Sequence, residues 1–399
     1  MTQGRARKIA IIGTGPAGLM AASVLAENGI EVHVYEKHKG AGRKLLIAGS
    51  SGLNISNSLP LHEFAAQYEG PGIDWLRLLQ VFSPEDWLAF IHRLGLETFE
   101  GTSGRYFVRE MKASGLLRAW LTALETQGVT FHYDAEWQGL ERNRDVSLNV
   151  SFSRGIEDSF DAVVLALGGA SWLAAGDKLR WPKILARLGL NLRPFRAANC
   201  GFAVNWKPEF LAEAEQQPLK NVIFSSSRGG KKGDLLITSY GIEGTPIYAC
   251  GQTGPCTIDL KPDLTEVQLV ERLNSAKENL SPMRRIKQTL NFSRVALALL
   301  YHHAPAELPP DSPGLASLIK AFPLELLASR PLTEAISSAG GLSLTEIDQD
   351  FQLRKLPGVY AVGEMLDWTA PTGGFLIQAC VAQARVAAQA ILAKPGIPS

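Results

Sequence analysis

The chain has 399 residues, which is enough to bury a substantial core and to form two or three domains. Apolar residues make up 46% of the chain and charged residues 20%, as in an ordinary soluble globular protein. The net charge of +1 excludes a strong attraction to nucleic acid or to an acidic membrane surface, and four cysteines in a chain of this length exclude a disulfide framework.

The chain begins with basic residues and an apolar run, a pattern that loosely imitates a signal peptide. A Gly-Pro pair interrupts that run, and no cleavage-like site follows it. No later apolar run reaches the roughly 18 uncharged residues that a membrane span needs. We therefore expect a cytoplasmic protein with no membrane partner.

The first predicted element is Lys8–Ile12, an apolar run that suits a buried parallel strand. It leads into the turn GTGPAG (Gly13–Gly18) and an Ala- and Leu-rich stretch, which predicts a helix ending at Gly29. Ile30–Tyr35 then alternates as a strand, and Glu36 follows it directly. This order of strand, GxGxxG, helix, strand and acid predicts a dinucleotide-binding unit.

Each residue of this motif has a physical reason. Gly13 allows the tight turn, Gly15 lets the backbone approach a pyrophosphate, and Gly18 lets the helix pack closely on the strand. The N-terminus of the helix directs free N–H groups at the phosphates. Glu36 can accept hydrogen bonds from ribose hydroxyls and disfavours the 2′-phosphate of NADP.

The next stretch, IAGSSGLNISNS (Ile47–Ser58), is dense in small and short polar residues, as in a flexible loop. Further along, Phe160–Ala170 is an apolar strand that ends in Gly-Gly, and Val359–Gly363 is another strand near the C-terminus. Glu364 and Asp367 follow that strand, and a long helix runs from the turn at Gly373-Gly374 to Leu392.

The chain thus returns to its first domain at its very end, which a nicotinamide dehydrogenase has little need for. A long flavin cofactor does need it, because the late strand, turn and helix would close over its ribityl chain and isoalloxazine. The N-terminus of the last helix would place a positive dipole near flavin N1 and C2=O, where reduction builds negative charge. The sequence therefore favours FAD. The small residues of Ile47–Ser58 are then expected to form a wall against the flavin, because bulky side chains there would collide with it.

From roughly Leu190 to Gly341, short strands alternate with Gly and Pro turns and are followed by predicted helices. These helices are TEVQLVERLNSAKENL, PMRRIKQTLNFSRVALALLYHH and SPGLASLIKAFP. The predicted fold class is α/β: a Rossmann-like FAD-binding domain with an inserted β-barrel-like domain and a small helical domain. The predicted boundaries are 1–190 for the first part of the FAD-binding domain, 191–262 for the insert, 263–330 for the helical part and 331–399 for the returning chain.

The chain resembles the HI0933-like (YhiN-like) flavoproteins over nearly its whole length, and is closest to a shorter branch of that family. Six segments occur in the order seen there: GRKLLIAGSSGLNISNS, GRYFVREMKASGLLRAWL, VVLALGGASW, DLLITSYGIEGTPIY, SSAGGLSLTEID and PGVYAVGEMLDWTAPTGGFLIQ. The main branch has an Arg-Cys-Asn triplet where this chain has Gly52-Leu53-Asn54. Chemistry that depends on that arginine or cysteine cannot be transferred.

The resemblance implies a bound FAD, whose contacts fall into groups along the cofactor. These are Gly13, Gly15, Pro16, Ala17, Gly18, Glu36 and Lys37 at the ADP half; Arg43 and Lys44 by the phosphates and ribityl chain; Glu136 and Trp137 at the adenine; Gly168 and Gly169, which close that end; and Asn54, Gly363, Glu364, Asp367, Gly373, Gly374 and Phe375 at the ribityl chain and flavin.

The expected reaction is hydride transfer between flavin N5 and an unidentified small organic substrate, in a cleft between the FAD-binding domain and the insert. Because the chain has no second GxGxxG unit, NAD(P)H would dock transiently as reductant, unless oxygen or another carrier turns the flavin over. Five residues are candidates for the substrate side, although a local Asx turn (Asn54), surface ion pairs and core packing are alternatives: Asn54, Arg105, Lys112, Tyr240 and Trp368.

No HxxxE, HExxH or paired His and carboxylate cluster is present, so we predict no metal site. His302-His303, at the end of a predicted helix, fits the favourable helix dipole better than metal ligation. Two other functions stay open. One is a flavoprotein that uses FAD without redox chemistry, in a structural, sensory or tRNA-modifying role, and the other is an NAD-dependent dehydrogenase without flavin. The sequence does not decide the oligomeric state, the general acid or the general base.

Overall fold

A computed structural model describes residues 7–49, 52–101, 104–144, 147–155, 157–173, 177–304 and 307–394. Ser50 and Ser51, in the small-residue stretch discussed above, lie outside the described residues. The chain forms two compact units. The first unit contains Met1–Arg196 and Ser338–Ser399, and the second contains Ala197–Ser337.

A five-stranded parallel sheet forms the centre of the first unit, with strand order β19-β10-β1-β2-β6. Its strands are β1 (Lys8–Ile12), β2 (Glu31–Tyr35), β6 (Thr130–His132), β10 (Ala162–Leu165) and β19 (Val359–Ala361). The strands β1 and β10 are apolar and almost wholly buried, as expected of a parallel sheet covered on both faces. The predicted α/β class with a Rossmann-like unit is confirmed.

Smaller antiparallel sheets and helices complete the first unit. One sheet contains β3 (Asn54–Asn57), β4 (Thr98–Glu100) and β5 (Arg105–Val108). Another contains β7 (Trp137–Arg142), β8 (Leu148–Phe152) and β9 (Glu157–Phe160). A two-stranded sheet, β11 (Leu192–Ala198) and β18 (Ser337–Leu342), forms where the chain passes between the units. The helices are α1 (Pro16–Glu27), α2 (Arg43–Ala48), α3 (Leu61–Ala65), α4 (Trp75–Val81), α5 (Pro84–Arg93), α6 (Ala113–Thr126), α7 (Trp181–Arg187) and α14 (Phe375–Ala393).

The last helix, α14, packs against α1 and returns the C-terminal segment to the first unit, as the sequence predicts. Its length and apolar composition would suffice to cross a membrane, but 67% of its apolar window is buried inside the protein, which is typical of a core helix. Two glutamines on it, Gln378 and Gln383, are fully buried and accept hydrogen bonds, and Gln383 Nε2 has no partner among the described residues. Helix α14 therefore belongs to the hydrophobic core of this unit.

The second unit contains a six-stranded antiparallel sheet with order β12-β15-β14-β13-β16-β17. Its strands are β12 (Phe202–Ala203), β13 (Pro218–Ser226), β14 (Gly229–Thr238), β15 (Gly241–Glu243), β16 (Gly254–Asp259) and β17 (Phe322–Leu326). Its helices are α8 (Pro208–Ala214), α9 (Thr245–Cys250), α10 (Glu266–Asn274), α11 (Pro282–Thr289), α12 (Arg294–His303) and α13 (Ser312–Lys320).

Strands and helices of the second unit share one hydrophobic core, to which Phe224, Leu299 and Ile319 all contribute. A division of this unit at residue 262 stays a prediction. One predicted helix is wrong in extent, because PMRRIKQTLNFSRVALALLYHH forms two helices, α11 and α12. The second begins at Arg294, and the side chain of the preceding Ser293 accepts a hydrogen bond from the Ala296 N–H at 3.2 Å.

Candidate cofactor site

The turn between β1 and α1 has the geometry of a phosphate cradle. A Cβ atom on Gly13 would lie 2.2 Å from the Ala166 carbonyl oxygen, and one on Gly18 would lie 1.9 Å from the Gly13 carbonyl oxygen. A Cβ atom on Gly15, in contrast, would have no described atom within 4 Å. Gly13 and Gly18 are therefore needed for packing within the protein, whereas Gly15 faces open space that a ligand can occupy.

Glu36 is held at the carboxyl end of β2. Its Oε2 accepts hydrogen bonds from the Thr14 hydroxyl and from the Thr14 N–H, the latter at 3.3 Å. Its Oε1 accepts from the His38 N–H at 3.0 Å. Because Oε1 accepts only this bond from the part of the chain that the structure describes, it keeps an acceptor site for a ribose hydroxyl.

One pocket in the first unit brings most of the predicted cofactor residues together. Fourteen of them line it, from the β1–α1 turn to the segment after β19: Gly13, Gly15, Pro16, Ala17, Glu36, Lys37, Arg43, Lys44, Glu136, Trp137, Gly168, Gly169, Gly363 and Glu364. The set includes the predicted acid for the ribose, directly after β2, and Gly363-Glu364, which follow β19.

The remaining predicted cofactor residues do not line this pocket. Gly374 packs on β3, since a Cβ atom there would lie 2.4 Å from the Ser56 carbonyl oxygen. Asp367 Oδ1 accepts a hydrogen bond from the Gly340 N–H at 3.0 Å, and the Phe375 ring packs at 4.7 Å from the Phe64 ring. Asn54 Oδ1 is buried and accepts no hydrogen bond from a described residue, so the alternative Asx turn is not formed.

A cluster of titratable side chains lies at the Gly363-Glu364 side of the pocket. Lys44 Nζ donates a hydrogen bond to the Gly169 carbonyl oxygen at 2.6 Å. Burial lowers the pKa of Lys44 while the carboxylate of Glu364 opposes that shift, and burial raises the pKa of Glu364. Burial and the nearby Glu364 raise the pKa of the Cys380 thiol well above its usual range, so this thiol stays protonated.

The sequence did not single out several residues that line the pocket. Cys380 comes from α14, and Asp177, Arg180 and Trp181 come from the segment before and at the start of α7. No motif marks these residues, and they reach the pocket only through tertiary packing. The indole N–H groups of Trp137 and Trp181 are buried and have no hydrogen-bond partner among the described residues.

Two predicted substrate-side residues of the first unit, Arg105 and Lys112, are at least partly exposed to solvent. Arg105 opens β5, where burial lowers its pKa, and its Nε lies 3.5 Å from the position of a Cβ atom on Gly373. Lys112 is exposed at the start of α6. Trp368 instead packs inside the unit at 3% exposure, where its indole N–H donates to the Gly363 carbonyl oxygen at 2.9 Å.

Tyr240, the substrate-side candidate of the second unit, belongs to a local polar cluster. Its hydroxyl donates a hydrogen bond to Glu243 Oε2 at 2.9 Å, and the Tyr248 hydroxyl donates to the same oxygen at 3.2 Å. Burial and the Glu243 charge raise the pKa of Tyr240 to about 12. The Arg330 guanidinium lies 4.2 Å from the centre of the Tyr240 ring. A role for this hydroxyl toward the flavin stays a prediction.

The parallel sheet, the glycine cradle, Glu36 and the chain's return through Gly363-Glu364 define the class, a dinucleotide-binding flavoprotein of the α/β type. The open space at Gly15 and the free acceptor site on Glu36 fit the ADP half of FAD. Among the described residues, no group of three or more His, Cys, Asp or Glu side chains is placed to hold a metal ion.

The chain belongs to the HI0933-like family, since the model of the HI0933-like protein Rossmann domain matches residues 7–390. The ribosomal RNA dihydrouridine synthase of Escherichia coli K12 is 24% identical, over 96% of this chain and 97% of that protein. The 3-dehydro-bile acid delta(4,6)-reductase of Clostridium scindens is also 24% identical, over 97% of this chain and 100% of that protein.

Among solved structures, the 3-ketosteroid delta1-dehydrogenase of Sterolibacterium denitrificans, in complex with 1,4-androstadiene-3,17-dione, has a similar fold. The TM-score is 0.55 at 12% identity, over 97% of this chain and 100% of that chain. The family, the Rossmann-like fold and the class of FAD-dependent oxidoreductase predicted from the sequence are confirmed. The individual site residues stay predictions.

Proposed function

We propose that the protein uses its FAD to reduce a carbon–carbon double bond that is conjugated to a carbonyl group in a small cyclic substrate. One observation carries this proposal: two relatives that align with nearly the whole chain are named for reactions of this kind. Dihydrouridine is uridine with its ring double bond reduced, and that bond is conjugated to a ring carbonyl. A 3-dehydro-bile acid with Δ4 and Δ6 double bonds has the same conjugation.

In this proposal the residues of the pocket bind and orient the cofactor, which when bound supplies the hydride chemistry. Glu36 accepts from the ribose, and the N-terminus of α1 directs N–H groups at the pyrophosphate. Lys44 brings a cation to the Gly169 side of the pocket, beside Glu364. The protonated Cys380 thiol, which lines the same region, adds no nucleophile.

The reductant is part of the same proposal. NADH or NADPH would dock transiently, because the chain has no second GxGxxG unit for a permanently bound nicotinamide. A cytoplasmic location, where both nucleotides are available, fits this proposal.

The experiment uses purified protein with its bound FAD. NADH and then NADPH are supplied with a panel of cyclic enones and with the matching saturated ketones, and products are analysed by mass spectrometry. We expect at least one enone to yield a product heavier by two hydrogen atoms, while the saturated ketones stay unchanged. Flavin that is reduced by the nucleotide and reoxidised only by oxygen, with every enone recovered intact, would contradict the proposal.

A second candidate substrate is a uridine within ribosomal RNA, which the name of the Escherichia coli relative favours. Electrostatics gives this candidate little support, because the net charge is +1 and the second unit has equal numbers of basic and acidic residues. Ribosomal RNA from cells with and without the gene separates the two substrates. Dihydrouridine that disappears with the gene and returns on complementation would establish the RNA substrate and refute the small-molecule one.

A further inference from the structure

The residues Asp177–Trp181, which we call the 177–181 segment, line the cofactor pocket without matching any motif of the sequence. They precede and open α7, and they share the pocket with Glu36, the predicted ribose acceptor. The segment lies at the adenosine end of the predicted FAD site, because its Asp177 and Arg180 pair with Lys37 and Glu136, which are predicted at the ADP half and at the adenine. Its ion pairs with the chain after β2 and with the chain before β7 indicate a specific role.

An ion pair joins one end of the segment to the chain just after β2. Lys37 Nζ lies 3.2 Å from Asp177 Oδ2, and His38 Nε2 lies 3.6 Å from the same oxygen. Burial raises the pKa of Asp177, but the Lys37 hydrogen bond and the charges of Lys37, His38 and Arg43 lower it overall. Asp177 is therefore ionised near neutral pH and holds the segment against the β2 side of the pocket.

A second ion pair joins the segment to the chain before β7, which is hydrogen-bonded to the chain after β2 through the Ala135 N–H and the Glu36 carbonyl oxygen at 2.9 Å. Arg180 Nη1 lies 3.5 Å from Glu136 Oε2, and Glu136 precedes β7 and lines the same pocket. Next to it, the Trp181 side chain is buried at 6% exposure and packs edge to face on Phe195, with ring centres 5.7 Å apart. This end is therefore anchored by apolar packing, whereas the Asp177 end is held by charge.

The ion pair of Lys37 and Asp177 is partly shielded from water. The side chains of Lys37 and Asp177 are 31% and 25% exposed, whereas the surface pair of Arg109 and Glu97 is 65% and 73% exposed. Fully exposed pairs contribute little because water screens them, and partial burial strengthens the attraction. Breaking the Asp177 pair should therefore have a measurable effect.

We propose that the 177–181 segment is a strap that retains FAD, fastened at Asp177 by Lys37 and His38 and at Arg180 by Glu136. Two of its partners, Lys37 and Glu136, are also predicted cofactor residues, so the strap pairs with both neighbouring segments that are predicted to hold the adenosine end. Departure of the cofactor from this end requires these ion pairs to open. The proposal rests on FAD as the bound cofactor and does not depend on the substrate proposed above.

The test measures the rate of FAD release from the purified holoprotein, as the rise of free-flavin fluorescence after dilution. Asp177→Asn should release FAD about fivefold to tenfold faster than wild type, the effect of losing a partly buried ion pair. Arg180→Gln, which changes a side chain that is 60% exposed, should accelerate release by a smaller factor, because water screens this pair more. Glu97→Gln is the matched control, since it removes an ion pair away from the pocket and should leave the rate unchanged.

Two further measurements separate a strap from a general loss of structure. Asp177→Glu keeps a carboxylate for Lys37 and should release FAD more slowly than Asp177→Asn. Added salt should accelerate release from wild type more than from Asp177→Asn, because screening acts on the intact pair. Release from both Asp177→Asn and Arg180→Gln at the wild-type rate would overturn the proposal, and so would equal salt dependence of Asp177→Asn and wild type.

Discussion

At the β1–α1 turn, Gly15 and Gly18 lack a side chain for different physical reasons. Gly18 lies against the Gly13 carbonyl oxygen, so that even a methyl group would force the helix away from the strand. Gly15 has room for a side chain within the protein, but the space is where a pyrophosphate would lie. The two glycines therefore allow cofactor binding to be separated from folding by single substitutions.

We predict that Gly15→Asp abolishes FAD retention while the apoprotein stays folded, because its carboxylate occupies open space and repels the phosphates. Gly18→Ala, the matched change, should lower the free energy of unfolding by about 2 kcal/mol through overpacking. Flavin absorbance per protein and thermal unfolding of the apoproteins measure both effects. Gly15→Asp protein that keeps stoichiometric FAD would refute the placement of the pyrophosphate.

The site residues that the sequence predicted differ from those it did not predict in how far apart they lie along the chain. Gly13, Gly15, Gly18 and Glu36 lie within one strand–turn–helix–strand unit, where spacing along the chain determines spacing in the fold. Asp177 and Cys380 come from distant parts of the chain and reach the pocket only because α7 and α14 pack there. A single sequence carries no spacing rule for such residues, and their individual types are not diagnostic.

Among the elements, α14 supports the pocket through a buried side chain. Gln383 is fully buried, and its Oε1 accepts a hydrogen bond from the Gly363 N–H at 2.7 Å. Gly363 lines the pocket, so this bond fixes the segment that begins after β19. The helix thus positions the site in addition to filling the core.

Gln383→Leu should weaken FAD binding, because the Gly363 N–H loses its partner in the interior. It should lower the free energy of unfolding by less than about 1 kcal/mol, because it also removes the buried Nε2 donor, which has no partner among the described residues. Gln389→Leu, at an exposed position of the same helix, is the control and should change neither quantity. Urea unfolding and titration of the apoprotein with FAD measure the two effects. Equal FAD affinity of Gln383→Leu and wild type would show that the bond does not support the site.

The C-terminal end of α12 gives the second unit a pH dependence. His303 Nε2 accepts a hydrogen bond from the Lys207 N–H at 3.0 Å, which requires the unprotonated nitrogen. Burial, followed by the charges of Lys207 and His302, lowers the pKa of His303 to about 4. From the sequence, His303 was interpreted by the favourable dipole at the end of its helix. In the structure, burial of its ring against Trp206 and Phe210 has the larger effect on its pKa.

In the folded protein the pKa of His303 is about 4, below its usual value of 6.5. Between pH 4 and pH 6.5 the unfolded state therefore binds more protons than the folded state. Stability should therefore be fully present above about pH 6.5 and fall by about 1 kcal/mol toward pH 4, allowing for solvent screening of this partly exposed group. His303→Gln keeps an acceptor for Lys207 and should flatten this part of the pH profile. Urea midpoints across this range measure the effect, and parallel profiles for both proteins would contradict it.

At the scale of the whole molecule, the order of elements was the most predictable property. The GxGxxG unit, the glycine-rich end of Phe160–Ala170 and the late strand with its long helix predicted a first unit that closes at the C-terminus, as observed. The break between α11 and α12 was missed, since the apolar pattern continues across it and a single Ser cap marks the new start. Substrate choice was not predictable, because no motif of this sequence encodes it.

The measurement that tests the central claim most directly is a single turnover without oxygen. Holoprotein with fully reduced flavin is mixed with a cyclic enone and, in parallel, with the corresponding saturated ketone. We predict that the visible flavin absorbance returns only with the enone, in step with formation of one equivalent of the saturated product. Flavin that stays reduced with every enone and with uridine-containing ribosomal RNA, yet is reoxidised by oxygen, would contradict a reductase of conjugated double bonds.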